Sequence, residues 1–144
     1  MTSPSALIDS NILVYVFDAA HPREREICRK LIEDCWRGRS HYAVSAQNLS
    51  EFYVAVTEKF ENPLPREVAR EFVELIVEFE GWTVLPVVAE TVRRAIRINE
   101  DYKIHYWDAL VAAAMEQGGL RRILTENVTD FERVPWLEVE NPLV

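Results

Sequence analysis

Short apolar runs alternate with longer amphipathic stretches along this chain, and each kind of run predicts one type of element. Apolar, partly β-branched runs of strand length lie at 6–8, 41–45, 82–88, 123–124 and 137–139. Helical periodicity, or residues typical of helix starts and stops, marks 12–17, 22–38, 47–59, 65–81, 91–102 and 106–118. Strands that alternate with helices imply βαβ crossovers, so we predict an α/β fold with a parallel sheet and helices on both of its faces.

The amphipathic helices have apolar faces, which we expect to turn toward the core. In the helix at 65–81 the face consists of Val68, Phe72, Leu75, Ile76 and Phe79. In the helix at 91–102 the corresponding positions are the apolar Val92, Ala95 and Ile96 and the polar Asn99.

The length of 144 residues suits a single domain spanning 1–144, because one hydrophobic core commonly reaches this size. No apolar run approaches the roughly 20 residues of a membrane-spanning helix, and the opening segment MTSPSALIDSN lacks an export signal. We therefore expect a cytoplasmic protein without membrane contact. Cys28 and Cys35 lie on one predicted helix about 10 Å apart, too far for a disulfide, so we expect buried free thiols.

The net charge of −8 argues against a protein that holds nucleic acid by bulk electrostatics. Two observations mean that the charge does not exclude an enzyme that acts on nucleic acid. A metal site built from carboxylates is negative until its cations bind. The basic residues also cluster at 23–39 and at 93–97, where they either pair with nearby glutamates on solvated helix faces or contact a polyanion.

Acidic residues fall near the ends of the predicted strands. Asp9 directly follows the first strand, Glu51 lies in the helix after the second, and Asp108 lies in the first turn of the helix that begins near 106. Thr-Glu-Asn at 125–127, with Asp130 after it, follows the fourth strand. Ligands of open parallel sheets bind beyond the carboxyl ends of the strands, so we predict that these residues share one site.

Clusters of oxygen ligands suit hard divalent cations such as Mg²⁺ and Mn²⁺. A bound cation makes its water a stronger nucleophile and offsets charge on a phosphoryl oxygen, which indicates phosphodiester hydrolysis. No motif for a serine hydrolase, a P-loop, a zinc protease or a dinucleotide fold is present, and four glycines leave little room for one.

Each acid also has a purely structural explanation. Asp9 could cap the following helix, and Asp108 could interact with a helix dipole. Glu51 could face solvent, and Asp130 could cap a turn. Only their joint placement near the strand ends favours a functional site over these explanations.

Four segments together resemble the PIN-domain family. LIDSNILVY is similar to the family's opening strand and aspartate, SEFYVAV to its glutamate helix, YWDALVAAA to its second aspartate helix and ILTENVTDF to its last strand-end motif. The closing WLEVENPL resembles the end of VapC-type toxins. The segments occur in order over essentially the whole chain, and as a set they are specific.

The resemblance implies a three-layer α/β/α sandwich around a central parallel sheet of four or five short strands. It further implies an endoribonuclease that depends on Mg²⁺ or Mn²⁺ and acts as the toxin of a toxin–antitoxin system. Such a toxin forms a homodimer and is silenced by a cognate antitoxin protein. Asp9 and Asp108 would ligate the metal, Glu51 would complete the cluster through water, and Asn11 and Thr125 would orient ligands and solvent.

One position departs from the family pattern, because many relatives have aspartate where this chain has Asn127. The amide offers a neutral oxygen, and Asp130 is the nearest remaining carboxylate. Either a second metal site is weakened here, or Asp130 has taken over as a fourth catalytic acid.

Other functions fit parts of this pattern. A PIN nuclease of RNA processing or repair, outside any toxin–antitoxin system, would have the same acids. A non-catalytic PIN module that binds RNA or protein would not need Asp9, Glu51 and Asp108 together. A haloacid-dehalogenase phosphatase would need a second aspartate two residues after the first, where this chain has Asn11. The RNA that is cut and the number of metals do not follow from the sequence.

Overall fold

The structure is a computed structural model that describes residues 3–144. The first two residues of the opening segment, which we interpreted as lacking an export signal, lie outside the described residues. The elements follow in the order β1 (Ala6–Ile8), α1 (Ser10–Tyr15), α2 (Pro22–Trp36), β2 (Tyr42–Ser45), α3 (Ala46–Val54), a π-helical turn (Ala55–Lys59), α4 (Arg66–Glu78), β3 (Trp82–Leu85), α5 (Ala89–Tyr102), α6 (Tyr106–Gln117), β4 (Arg122–Leu124), α7 (Val128–Phe131) and β5 (Glu138–Glu140).

The five strands form one parallel sheet in the order β3-β2-β1-β4-β5. The central strand is β1, where Leu7 lies in register with Ala43 of β2 on one side and Ile123 of β4 on the other. The sheet therefore grows in both directions from β1. Parallel sheets bind ligands at such a switch point, beyond the carboxyl ends of the two strands that flank it.

Successive residues of β1 enter different cores, as the alternation of side chains along a strand requires. Ala6 and Ile8 pack in a core with residues of α1, α2 and α3, whereas Leu7 packs with Met115 of α6. Helices thus cover both faces of the sheet, and the predicted α/β/α sandwich is confirmed. Cys28 and Cys35 are buried and free, as predicted.

The predicted apolar faces of α4 and α5 were wrong in part. In α4, Ala69 and Ile76 are buried while Val68 and Leu75 are exposed. In α5, Ala95 and Ile98 face inward and the aliphatic residues Val92 and Ile96 face solvent. The small Ala95 lies in one core with the alanine-rich helix α6. Close packing of the two helices therefore decides which face of α5 is buried, even though Val92 and Ile96 are larger and more apolar.

Three predicted boundaries also move. The helix predicted at 47–59 divides into α3 and the π-helical turn. The strand predicted at 82–88 ends at Leu85, because Pro86 cannot donate to a ladder. The last strand begins at Glu138, because the backbone N–H of Leu137 instead donates to the Val134 carbonyl in a turn. Within residues 3–144, no helix combines the length and the apolar content needed to cross a bilayer.

Candidate active site

Asp9 lies at the carboxyl end of β1 and caps α1, where its Oδ1 accepts a hydrogen bond from the Ser10 backbone N–H at 2.8 Å. The same oxygen accepts from Asn48 Nδ2 at 3.2 Å. Its Oδ2 accepts from Thr125 Oγ1 at 2.8 Å and from Asn11 Nδ2 at 3.4 Å. Capping is therefore only one of the contacts of Asp9, and the other donors come from α1, α3 and the end of β4.

The Asp9 side chain is almost enclosed, since only 6% of the residue is exposed. Burial raises the pKa of Asp9 above its usual value, and hydrogen bonds from Thr125 and Ser10 oppose that rise. The nearby charge of Glu51 raises the pKa further. Because the net direction is upward, the donors do not fully compensate for the loss of water around this carboxylate.

Thr125, which follows β4 directly, connects three parts of the site. Its buried hydroxyl donates to Asp9 and accepts from Asn11 Nδ2 at 3.2 Å and from the Asn127 backbone N–H at 3.0 Å. Asn11 in turn accepts from the Glu126 backbone N–H at 3.3 Å, which fixes the orientation of its amide. Thr125 and Asn11 are thus in position to orient Asp9.

Glu51 projects from α3 toward the same end of the sheet and is half-buried. Its Oε1 accepts from Ser10 Oγ at 3.2 Å, and its Oε2 accepts from Gln47 Nε2 at 3.2 Å. Gln47 Nε2 also donates to the Trp107 carbonyl at 3.0 Å, and this bond joins α3 to the first turn of α6. Glu51 is therefore held at the acidic cluster and does not simply face solvent.

Asp108 lies in the first turn of α6, where its Oδ2 accepts from Asn127 Nδ2 at 3.0 Å. Its pKa is raised to about 7, first by burial and then by a hydrogen bond with Asp130 and the charges of Asp9, Asp130 and Glu51. The structure therefore brings all four predicted acids into one electrostatic cluster.

Asp130 approaches this cluster from α7. Its Oδ2 accepts from the His105 backbone N–H at 3.1 Å, and its carboxyl group contacts Asp108. Asn127, at the position of the family departure, faces the same aspartate as a hydrogen-bond donor. The two alternative residues thus lie together on the Asp108 side of the site.

Three residues of this site, Ser10, Gln47 and Asn48, were not among the predicted ones. Gln47 precedes Glu51 by four residues, so an i,i+4 contact on one helix face was a usable signal. Asn48 is the third residue of α3 and forms a capping box with Ser45. The local pattern Ser-x-x-Asn explains that cap, but the contact of Asn48 with Asp9 joins residues 39 positions apart and has no local signal.

The carboxylate oxygens of the site suit a hard divalent cation, although they do not form a complete set of metal ligands in advance. Within the part of the chain that the structure describes, no three His, Cys, Asp or Glu side chains form a ready-made metal site. Mg²⁺ commonly binds through one or two carboxylates and keeps several waters, which Asp9 and Asp108 can satisfy. Burial, and after it the charge of neighbouring acids, raises the pKa of both aspartates, and a bound cation would favour their ionised forms.

The basic clusters face solvent and mostly pair with acidic neighbours. Ion pairs at 2.7–3.6 Å join Arg23 to Glu24, Lys30 to Glu26, Arg37 to Glu33, Arg39 to Asp34 and Arg93 to Glu90. These pairs favour the interpretation of both clusters as solvated helix faces.

The chain belongs to the PIN domain family, whose profile matches residues 6–137. A comparison with curated protein sequences found no match. Among solved structures the chain is similar to a toxin–antitoxin complex from Klebsiella pneumoniae, with 21% identity, a TM-score of 0.68 and coverage of 96% of this chain and 98% of that one.

FitAcB from Neisseria gonorrhoeae is similar at 20% identity and a TM-score of 0.72, with coverage of 95% and 97% of the two chains. The VapC20 toxin of Mycobacterium tuberculosis, described as cleaving the sarcin–ricin loop, matches at 17% identity and a TM-score of 0.66, with coverage of 95% and 100%. These identities are low, and the likeness establishes the fold.

Proposed function

We propose that this chain is a metal-dependent endoribonuclease and the toxin of a toxin–antitoxin pair. The observation that carries the proposal is the acidic cluster at the switch point of a PIN domain. Ser10 donates to both Asp9 and Glu51, and Thr125 and Asn127 connect Asp9 to Asp108 by hydrogen bonds. The similar solved structures named as toxins or toxin–antitoxin complexes support the biological role. Cleavage of cellular RNA would require the cytoplasmic location expected from the sequence.

Asp9 and Asp108 are the residues that would hold Mg²⁺ or Mn²⁺. When bound, the cation supplies a more nucleophilic water and offsets charge on the scissile phosphate. Glu51 is held by Ser10 and Gln47 and would act on the cation through water. The remaining polar residues of the site hold the carboxylates in place by hydrogen bonds.

An open cleft of about 640 Å³ lies beside this cluster. Ser10, Asn11 and Glu51 line it, and so does Tyr15, whose hydroxyl donates to Glu126 at 2.9 and 3.0 Å. Trp107, beside Asp108, is 54% exposed and free to stack on an RNA base. RNA lying in the cleft would contact Ser10, Asn11 and Glu51, which adjoin Asp9.

A protein inhibitor of so acidic a site would bring its own cation, and arginine fits best because its planar fork pairs bidentately with carboxylates. We expect the antitoxin to place an arginine at Asp9 and Asp108, so calorimetry should show weaker binding as Mg²⁺ increases. Affinity that is indifferent to Mg²⁺ and to every arginine of the inhibitor would instead indicate steric blocking.

The expected homodimer has a candidate surface on α5. The N-cap residue Val88 and the helix residues Val92 and Ile96 recur every fourth residue and are exposed, forming an apolar stripe. Light scattering of the wild type and of Ile96→Glu would test this surface, with a shift to monomer expected in the variant.

The proposed function is tested by sequencing RNA ends in cells that express the chain without its partner. We expect new 5′ ends at a restricted set of sites, absent when Asp108→Asn is expressed to the same level. Coexpression of the gene product encoded beside this chain should suppress them if the pair is a toxin and an antitoxin. New ends without suppression would favour RNA processing or repair, and no new ends would contradict the nuclease proposal.

A further inference from the structure

Asn48 is fully buried, and the direction of its side-chain amide is fixed by its neighbours. Its Oδ1 accepts a hydrogen bond from the Ser45 backbone N–H at 2.9 Å. A backbone N–H can only donate, so the amide oxygen must face Ser45 and the NH₂ group must point the other way. That NH₂ group donates to Oδ1 of Asp9 at 3.2 Å.

The two oxygens of Asp9 are held by different kinds of donor. Oδ1 accepts from the Ser10 backbone N–H at 2.8 Å and from Asn48, and both donors belong to the fold because each also takes part in a helix cap. Oδ2 accepts the Thr125 hydroxyl at 2.8 Å and the half-buried Asn11 amide at 3.4 Å. A carboxylate offers about four acceptor positions, so the long contact to Asn11 is the easiest one for a ligand to replace.

We propose that Asn48 is a positioning residue. Its hydrogen bond keeps Oδ1 of Asp9 occupied by donors of the protein, so that Oδ2 is the oxygen that would bind the cation. The proposal rests on the metal-dependent activity proposed above. It explains why a neutral amide suits this place. An arginine or lysine there would donate equally well to Asp9 but would also neutralise it and repel a divalent cation, whereas an apolar residue would leave Oδ1 with one donor fewer in a buried setting.

The consequence is geometric. Without Asn48, the Asp9 carboxylate loses one of the two donors on Oδ1 and can rotate about its Cβ–Cγ bond. A cation would then meet a less preorganised ligand. Removal of such outer partners commonly weakens metal binding by about 10–100-fold.

The test compares Mn²⁺ binding to the full chain, measured by calorimetry and by the electron paramagnetic resonance signal of free Mn²⁺. Asn48→Ala removes the amide, and Asn48→Leu removes it while keeping the number and branching of the side-chain heavy atoms, in case the smaller variant does not fold. We expect both to raise the Kd for Mn²⁺ by about tenfold or more. The control is Ser45→Ala, which removes the other half of the same capping box but leaves the amide on Asp9.

Ser45→Ala should therefore lower the melting temperature but keep the wild-type Kd for Mn²⁺. A wild-type Kd in either folded Asn48 variant, or an equal loss in Ser45→Ala, would overturn the proposal. Failure of the wild type itself to bind Mn²⁺ would instead contradict the proposed function.

A measurement on the wild type does not depend on the folding of any variant. In protein labelled with ¹⁵N-asparagine, the side-chain NH₂ of Asn48 should exchange slowly with solvent, both without metal and with Mg²⁺. Mn²⁺ should broaden that resonance because the amide lies one hydrogen bond from a metal ligand. Rapid exchange of this amide on addition of Mg²⁺ would mean that Asn48 releases Asp9 and would contradict the assigned role.

Discussion

At the Asp9 side of the acidic cluster, Ser10, Asn48, Thr125 and Asn11 all donate to one carboxylate. At the Asp108 side, the carboxylate accepts from Asn127 and faces a second acid, Asp130. The first aspartate is thus built into the fold by four donors, whereas the second is half-buried, accepts a hydrogen bond from Asn127 and lies beside a further acid. Burial raises the pKa of both, so a cation would favour the ionised form of each, but the protein alone positions Asp9 more firmly than Asp108.

The largest expected effect is the loss of RNA cleavage when either carboxylate becomes an amide. Asp9→Asn and Asp108→Asn should each lower the rate on the order of a thousandfold or more, because each removes a carboxylate that would hold the cation, and the cation is what offsets charge on the reacting phosphate. The matched control is Asp101→Asn, which changes an exposed carboxylate of α5. Full activity of either site variant with Mn²⁺ on a structured RNA would contradict the assignment.

Glu51 lies between the two sides and should have a smaller effect. Its hydrogen bonds come from Ser10 and Gln47, and it would act on the cation through water. We expect Glu51→Gln to reduce the rate by about 10–100-fold and to leave the melting temperature near that of the wild type. A loss as complete as that of Asp9→Asn would mean that Glu51 ligates the metal directly.

Substitutions of Asn127 and Asp130 affect only the Asp108 side of the cluster and therefore test that side separately. Asn127→Asp adds a carboxylate beside Asp108 and should lower the Mn²⁺ concentration that gives half-maximal activity by a few-fold. Asp130→Ala removes negative charge and should raise that concentration. A metal titration that shows no change in either variant would mean that neither residue acts on the cation.

The smallest effect is a pH dependence of stability without metal. The folded-state pKa of Asp108 is about 7 against an ordinary value of 3.8, so the folded protein keeps a proton that the unfolded chain has already lost. Stability from this group is therefore lost as the pH rises from about 4 through about 7. Asp108→Asn should remove this dependence and melt a few degrees higher than the wild type at pH 7.5.

Scanning fluorimetry at several pH values, with and without Mg²⁺, measures this difference. At pH 7.5, Mg²⁺ should reduce the difference in melting temperature between the wild type and Asp108→Asn, because it binds and stabilises the ionised carboxylate of the wild type. Parallel melting curves of the two proteins at every pH would contradict the raised pKa.

The strands of the sheet and the positions of most site residues could be predicted from the same pattern in the sequence. Asp9 and Thr125 follow short apolar runs, and strand ends of a parallel sheet meet at one edge. Periodicity was less reliable for α5, where the closest helix packing uses Ala95 rather than the larger Ile96. The hydrophobicity of its residues alone does not show which face of a helix packs closely against another helix.

The donors that hold the acids were harder to predict. Asn48 resembles an ordinary helix-capping residue until β1 and α3 are placed side by side. The position of Asp130 against Asp108 likewise depends on how α7 folds back on α6. Such contacts join residues distant in sequence, so they follow from the assembled fold and not from local pattern.

The most direct test of the account is a crystal soaked with Mn²⁺, with the ion located by its anomalous scattering. We predict one peak within about 2.2 Å of Oδ2 of Asp9 and of a carboxylate oxygen of Asp108, with Oδ1 of Asp9 still bonded to Asn48. A strong peak bound by Asp130 and Glu51 without Asp9 would contradict the central claim.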